Sequence, residues 1–135
     1  MGRTNLPLTT LTPNNILDIP VGTVIDQSNG MNVAFSSTAI PAAPNAAHMF
    51  LYVQTTNGAD KSVIIRAGVG GGATPGPAFR AGLGDLTVTA HAATGGGIVG
   101  PLETARFEQL DRSINIDFAA GITGWITAFI MPSRW

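Results

Sequence analysis

The chain contains no cysteine, a single lysine and little charge of either sign. Without cysteine there is no disulfide framework and no thiolate metal site. Only 11% of its 135 residues are charged, against roughly 25% in an ordinary soluble domain. Residues 27–59 and 86–102 carry no Asp, Glu, Lys or Arg at all. Long apolar runs are missing too. Ser, Thr, Asn, Gln and Pro interrupt every one before the ~20 residues a membrane helix needs, so no membrane partner is expected. Met1-Gly2-Arg3-Thr4-Asn5 leads into no apolar signal core, and Leu6 stands where an N-myristoylation signal wants Ser or Thr.

Reactive constellations are equally scarce. His48 and His91 are the only histidines, each alone among apolar residues, whereas a zinc site takes three or four ligands. The carboxylates Asp18, Asp26, Asp60, Asp85, Asp111, Asp117, Glu103 and Glu108 form no pair at a spacing that would face across a cleft. There is no Gly-x-Ser-x-Gly elbow. The glycine-rich stretches 68–77 and 95–101 are followed by neither the lysine nor the helix of a phosphate cradle, so they are expected to be flexible or left-handed connections between sheets. Arg3, Arg66, Arg80, Arg106, Arg112 and Arg134 are scattered, with acids nearby, and the net charge is −1. That offers no basic stripe for nucleic acid. The expectation is a protein that is not an enzyme, holds no cofactor or metal, and binds no nucleic acid.

What is present is the alternation of half-buried strands. Ile114, Ile116 and Phe118 alternate with Ser113, Asn115 and Asp117. Further strand candidates are 16–26, 31–40, 47–56, 61–67, 83–91, 104–109 and 125–131, separated by turn signals at 28–30, 41–44, 57–60 and 110–113. Asn57-Gly58 is a hairpin cue. In 104–109, treated as a strand, Arg106 is placed to pair with Asp117 on a neighbour. The last candidate is apolar on both faces: Trp125, Phe129 and Met131 on one, Ile126, Ala128 and Ile130 on the other. Such a strand is covered on both sides, inside a sandwich or at a subunit contact. Eight short strands with almost no helix signal predict an all-β chain, a single-domain β-sandwich or jelly-roll-like barrel.

Residues 1–15 are extended-biased, with Pro7 and Pro13 removing donors. They are expected to form an arm ahead of one β domain at 16–135. Leu6, Leu8 and Leu11 in the arm, and Trp135 at the other end, are the candidate contacts to a partner or a second copy. The exposed-aromatic candidates for carbohydrate binding are Tyr52, Phe79 and Trp135, with Trp125 expected in the core.

The run Gly100-Pro101-Leu102-Glu103-Thr104-Ala105-Arg106-Phe107 resembles an element found in capsid decoration (cement) proteins of tailed double-stranded DNA bacteriophages. Arg112–Phe118 and Ile126–Pro132 resemble the two strands that follow it there, and Lys61–Gly68 resembles the family's middle strand. The resemblance implies a virion protein on the outer head surface, made in the host cytoplasm. It would bind the major capsid protein at subunit junctions, commonly as a homotrimer, and would stabilise the expanded head. A phage tail or head-fibre component, and a carbohydrate- or surface-binding β-sandwich module, are the alternative readings.

Overall fold

The structure is a computed structural model of the chain and describes residues 2–11, 15–18, 21–34, 49–70, 76 and 78–130. Ten strands are present among the described residues: β1 (Thr4–Asn5), β2 (Leu8–Thr10), β3 (Thr23–Val24), β4 (Met31–Ala34), β5 (Met49–Thr55), β6 (Lys61–Ile65), β7 (Leu86–Ala90), β8 (Gly96–Val99), β9 (Ser113–Phe118) and β10 (Gly124–Ile130). They form two mixed sheets. The first runs β1-β4-β9-β6-β7; the second runs β2-β10-β5-β8, with β3 also paired to β10.

Period-two burial explains the pairing. In β5, Met49, Leu51 and Val53 point inward; opposite them in register stand Ile130, Ala128 and Ile126 of β10, all of them buried. From the first sheet Met31, Val33, Val63, Ile65, Ile114, Ile116 and Phe118 meet them in one shared core. Each of these Val, Leu, Ile, Met and Phe side chains contributes roughly 1.5–3 kcal/mol by leaving water.

The sheets do not close into a barrel, which corrects the jelly-roll-like part of the expectation. On one side they are joined by the chain itself. Residues 4–5 add to β4 in parallel, Leu6 drops into the core at 2% exposure, and residues 8–10 add in parallel to β10. On the other side β7 and β8 are the edge strands of their sheets among the described residues. The 3₁₀ turn Ala92–Thr94 links them, and no ladder pairs them.

Three local expectations change. Residues Thr104–Phe107 form a helical turn, α1, not a strand. The Asn57-Gly58 segment does not close a hairpin, because β5 and β6 belong to different sheets. Instead the Asn57 side chain accepts a hydrogen bond from the Thr123 N–H at 3.3 Å and helps carry the chain from sheet to sheet. Gly96–Val99, within a stretch expected to be a flexible loop, is a strand. Gly96 adopts φ +118°, and a Cβ there would lie 1.9 Å from the Val53 carbonyl oxygen. Only glycine lets this strand approach β5 so closely.

Candidate interaction surface

The outward faces of the two sheets differ in kind. On the first sheet the outward residues are mostly polar, with Ile64 and Ala34 the exceptions. The Asn32 amide donates to Ser113 at 2.7 Å and to Asn115 at 2.9 Å across β4 and β9. Beside them Asp117 accepts from both Arg3 and Arg66, and Arg66 also reaches Asp85 at 2.6 Å. These four charges string the N-terminal segment, β9 and the ends of β6 and β7 together. Arg3 first, then Arg66, holds the Asp117 carboxyl below its ordinary value. Asp85 is lowered by the Ala67 N–H and then by Arg66, and Arg66 is raised chiefly by Asp117. The expected Arg106–Asp117 pair does not form. Arg106 sits on α1 and donates to the backbone carbonyls of Gly84 (3.0 Å) and Asp85 (3.1 Å).

The outward face of the second sheet carries no charge. Register places Phe129 beside Phe50, Thr127 beside Tyr52, Trp125 beside Gln54 and Val24, and Ile98 beside Tyr52. Ile98 is 72% exposed, Val24 66% and Trp125 38%. Trp125 is therefore not in the core; only the other face of β10 is. The segment that includes Gly22 crosses this face. A Cβ on Gly22 would come within 2.9 Å of both Thr127 Oγ1 and Trp125 Cβ. That cover buries Thr127, whose hydroxyl has no hydrogen-bond partner among the described residues, while the flanking Trp125 stays partly open. Leu11, Leu17, Phe50, Ile98 and Phe129 enclose an apolar groove of about 350 Å³ on the same face.

The proposed contact residues separate accordingly. Leu6 lies in the core and is not a surface contact; its side chain is consumed by the fold itself. Leu8 packs from β2 against that core. Leu11 does reach the apolar outer face. Trp135 lies outside the described residues, as does His48. Phe79 is 71% exposed but belongs to neither sheet. Sequence reasoning missed Ile98 and Val24. The alternation signal at Ile98 was hidden by its glycine neighbours, and Val24 stands in a two-residue strand.

The N-terminal segment is latched as well as paired. The Thr4 hydroxyl donates to Asp26, which also accepts from the backbone N–H groups of Ser28 (3.2 Å) and Asn29 (3.1 Å). Thr4 first, then Asn29, pulls the Asp26 carboxyl down to about 2. Gly30, at φ +72°, leaves room for the latch: a Cβ there would meet Arg3 at 2.3 Å and Asp117 at 2.4 Å. His91 Nδ1 lies 2.9 Å from Asp60 at an exposed site. Among the described residues no three His, Cys, Asp or Glu side chains gather to hold a metal ion. Among them, too, no helix is long and apolar enough to cross a membrane.

No family model matches this chain, and neither the curated proteins nor the solved structures contain a match to it.

Proposed function

We propose that this chain is a structural virion protein, a head decoration protein of a tailed double-stranded DNA phage. It assembles as a homotrimer and binds the outer capsid surface where major capsid subunits meet. The observation that carries the reading is the uncharged, apolar outer face of the second sheet, set against the polar outer face of the first. Contiguous apolar patches of this kind mark surfaces that a partner covers. Two sheets with such different exteriors suit a protein with one face toward water and one toward its neighbours. The scarcity of charge and the resemblance of residues 100–107, 112–118 and 126–132 point the same way.

The mechanism is thermodynamic. A trimer touching several capsid subunits gains its second and third contacts at high effective concentration. Only the expanded lattice presents those subunits at the matching spacing, so binding stabilises that state over others. The test is cosedimentation of purified protein with heads of the parent phage that lack it. Expanded heads should bind it saturably and resist heat better, whereas unexpanded shells should not bind. Equal binding to both shells, or to neither, would contradict the proposal.

A second reading has its own observation. Trp125 and Tyr52 lie diagonally on one face, with Gln54 opposite Trp125 and next to Tyr52 on the same face, an arrangement that suits stacking against a sugar ring. A glycan screen in which binding disappears in Trp125→Ala would favour a carbohydrate-binding module. A screen without hits would remove it.

A further inference from the structure

The open side of the sandwich holds a feature that the interaction surface does not explain. Between the edge strands β7 and β8 lies a cleft of about 500 Å³. This is within the ~300–1,000 Å³ of small-molecule sites. Its floor is the core: Val53, Val63, Leu102 and Phe107, each at most 3% exposed. Leu86 and Val88 form the β7 wall. Its charged residues are Arg80, Glu103 and Arg106. Arg80 and Glu103 are about half exposed and are paired with each other at 2.7 Å. They therefore stand at the mouth and cancel in charge.

Arg106 is different. Its Nε and Nη2 are spent on the carbonyls of Gly84 and Asp85, and its guanidinium lies 5.0 Å above the Phe107 ring. These contacts fix its plane without neutralising it, because no carboxylate pairs with it among the described residues. The result is a cleft of mixed lining, apolar at its floor, with one oriented, uncompensated cation at its side.

We propose that this cleft is a binding site for an amphipathic monocarboxylate, an unbranched aliphatic acid whose tail fills the apolar floor and whose carboxylate meets Arg106. The charge selects the head group, since guanidinium bonds to a carboxylate are the strong, charge-assisted kind. The apolar floor selects the tail. The inference does not depend on the virion reading: the cleft opens between the sheets and shares Ile98 alone with the groove on the outer face.

Isothermal titration with dodecanoate, below its micelle concentration, tests this on the full-length protein. One saturable site per chain is expected, with dodecanol and dodecyltrimethylammonium binding at least tenfold more weakly. Arg106→Gln should weaken dodecanoate about tenfold or more while leaving dodecanol unchanged; Arg106→Lys should restore part of the loss. Val88→Trp, which fills the cleft, should abolish binding of both. The head-group comparison uses the unaltered chain, so misfolding of a variant does not decide the outcome. No saturable binding, or equal affinity for all three head groups, would overturn the proposal. So would binding only of an alternately apolar, acidic peptide, which would identify the cleft as a site where an outside strand adds to the β7 and β8 edges.

Discussion

Replacing Leu6 by alanine tests whether the first eleven residues are an appendage or part of the fold. Leu6 is 2% exposed and packs in the core shared by the two sheets, and its N–H donates to the Asn32 carbonyl at 2.9 Å. Truncating a fully buried leucine costs about 2–5 kcal/mol, depending on how far the cavity collapses. Leu6 sits where the segment passes from the edge of one sheet to the edge of the other, so partial collapse is possible. The lower half of that range, about 3 kcal/mol, is the expected loss. For a domain of this size that corresponds to a fall in Tm of about 10–15 °C. Asn5→Ala is the control, because Asn5 is exposed on the adjacent strand position, and it should change stability by less than about 0.5 kcal/mol. Urea unfolding followed by circular dichroism, at one fixed protein concentration, measures both. If Leu6→Ala unfolds within about 1 kcal/mol of the parent chain, the segment contributes no core and the reasoning fails.

The remaining predictions address the latch and the glycines. The Asp26 carboxyl is lowered to about 2 in the folded state, so its stabilisation is complete above the ordinary 3.8 and fades as pH falls toward about 2; Asp117, also held below its ordinary value, acts in the same direction. Amide-exchange protection at Thr4 and Leu6 should therefore drop across that window, and Asp26→Asn should flatten the drop; identical profiles in parent and variant would contradict the latch. Gly96→Ala forces a side chain into the Val53 carbonyl at positive φ and should cost more than about 2 kcal/mol. Gly97→Ala meets nothing within 4 Å and should stay within about 1 kcal/mol in chemical denaturation. Similar losses for the two would show that the approach of β8 to β5 is not as close as described.

Much of the fold is legible in the sequence wherever a strand alternates over five residues or more. Ser113–Phe118 is such a case: its inward isoleucines and outward polar residues leave one register that buries the right side. Gly96–Val99 is not, because glycine carries no side chain to alternate. Thr104–Phe107 misleads for a different reason. Four residues are too few to show a 3.6 period, and Ala105 and Phe107 alternate with Thr104 and Arg106 as a strand would. The Arg106–Asp117 pairing fails with it.

The N-terminal segment is extended, as its prolines and β-branched residues indicate. Which edge an extended segment pairs with depends on contacts far along the chain, and no local pattern encodes them. For β10 the sequence shows two apolar faces, and one of them is the core. The other is only partly covered in the single chain, by the segment at Gly22, so the candidate surface is legible only as a face that needs cover.

The central claim is that this open face is where copies of the chain meet. Light scattering on the purified protein, run beside Ile98→Glu, tests it most directly. Ile98 is 72% exposed on the edge strand β8, so the substitution leaves the core intact while placing a charge on the apolar face. The account predicts three chains per particle for the parent protein and one for Ile98→Glu, both fully folded. A parent protein that is monomeric, or a variant that keeps the parent's mass, would contradict it.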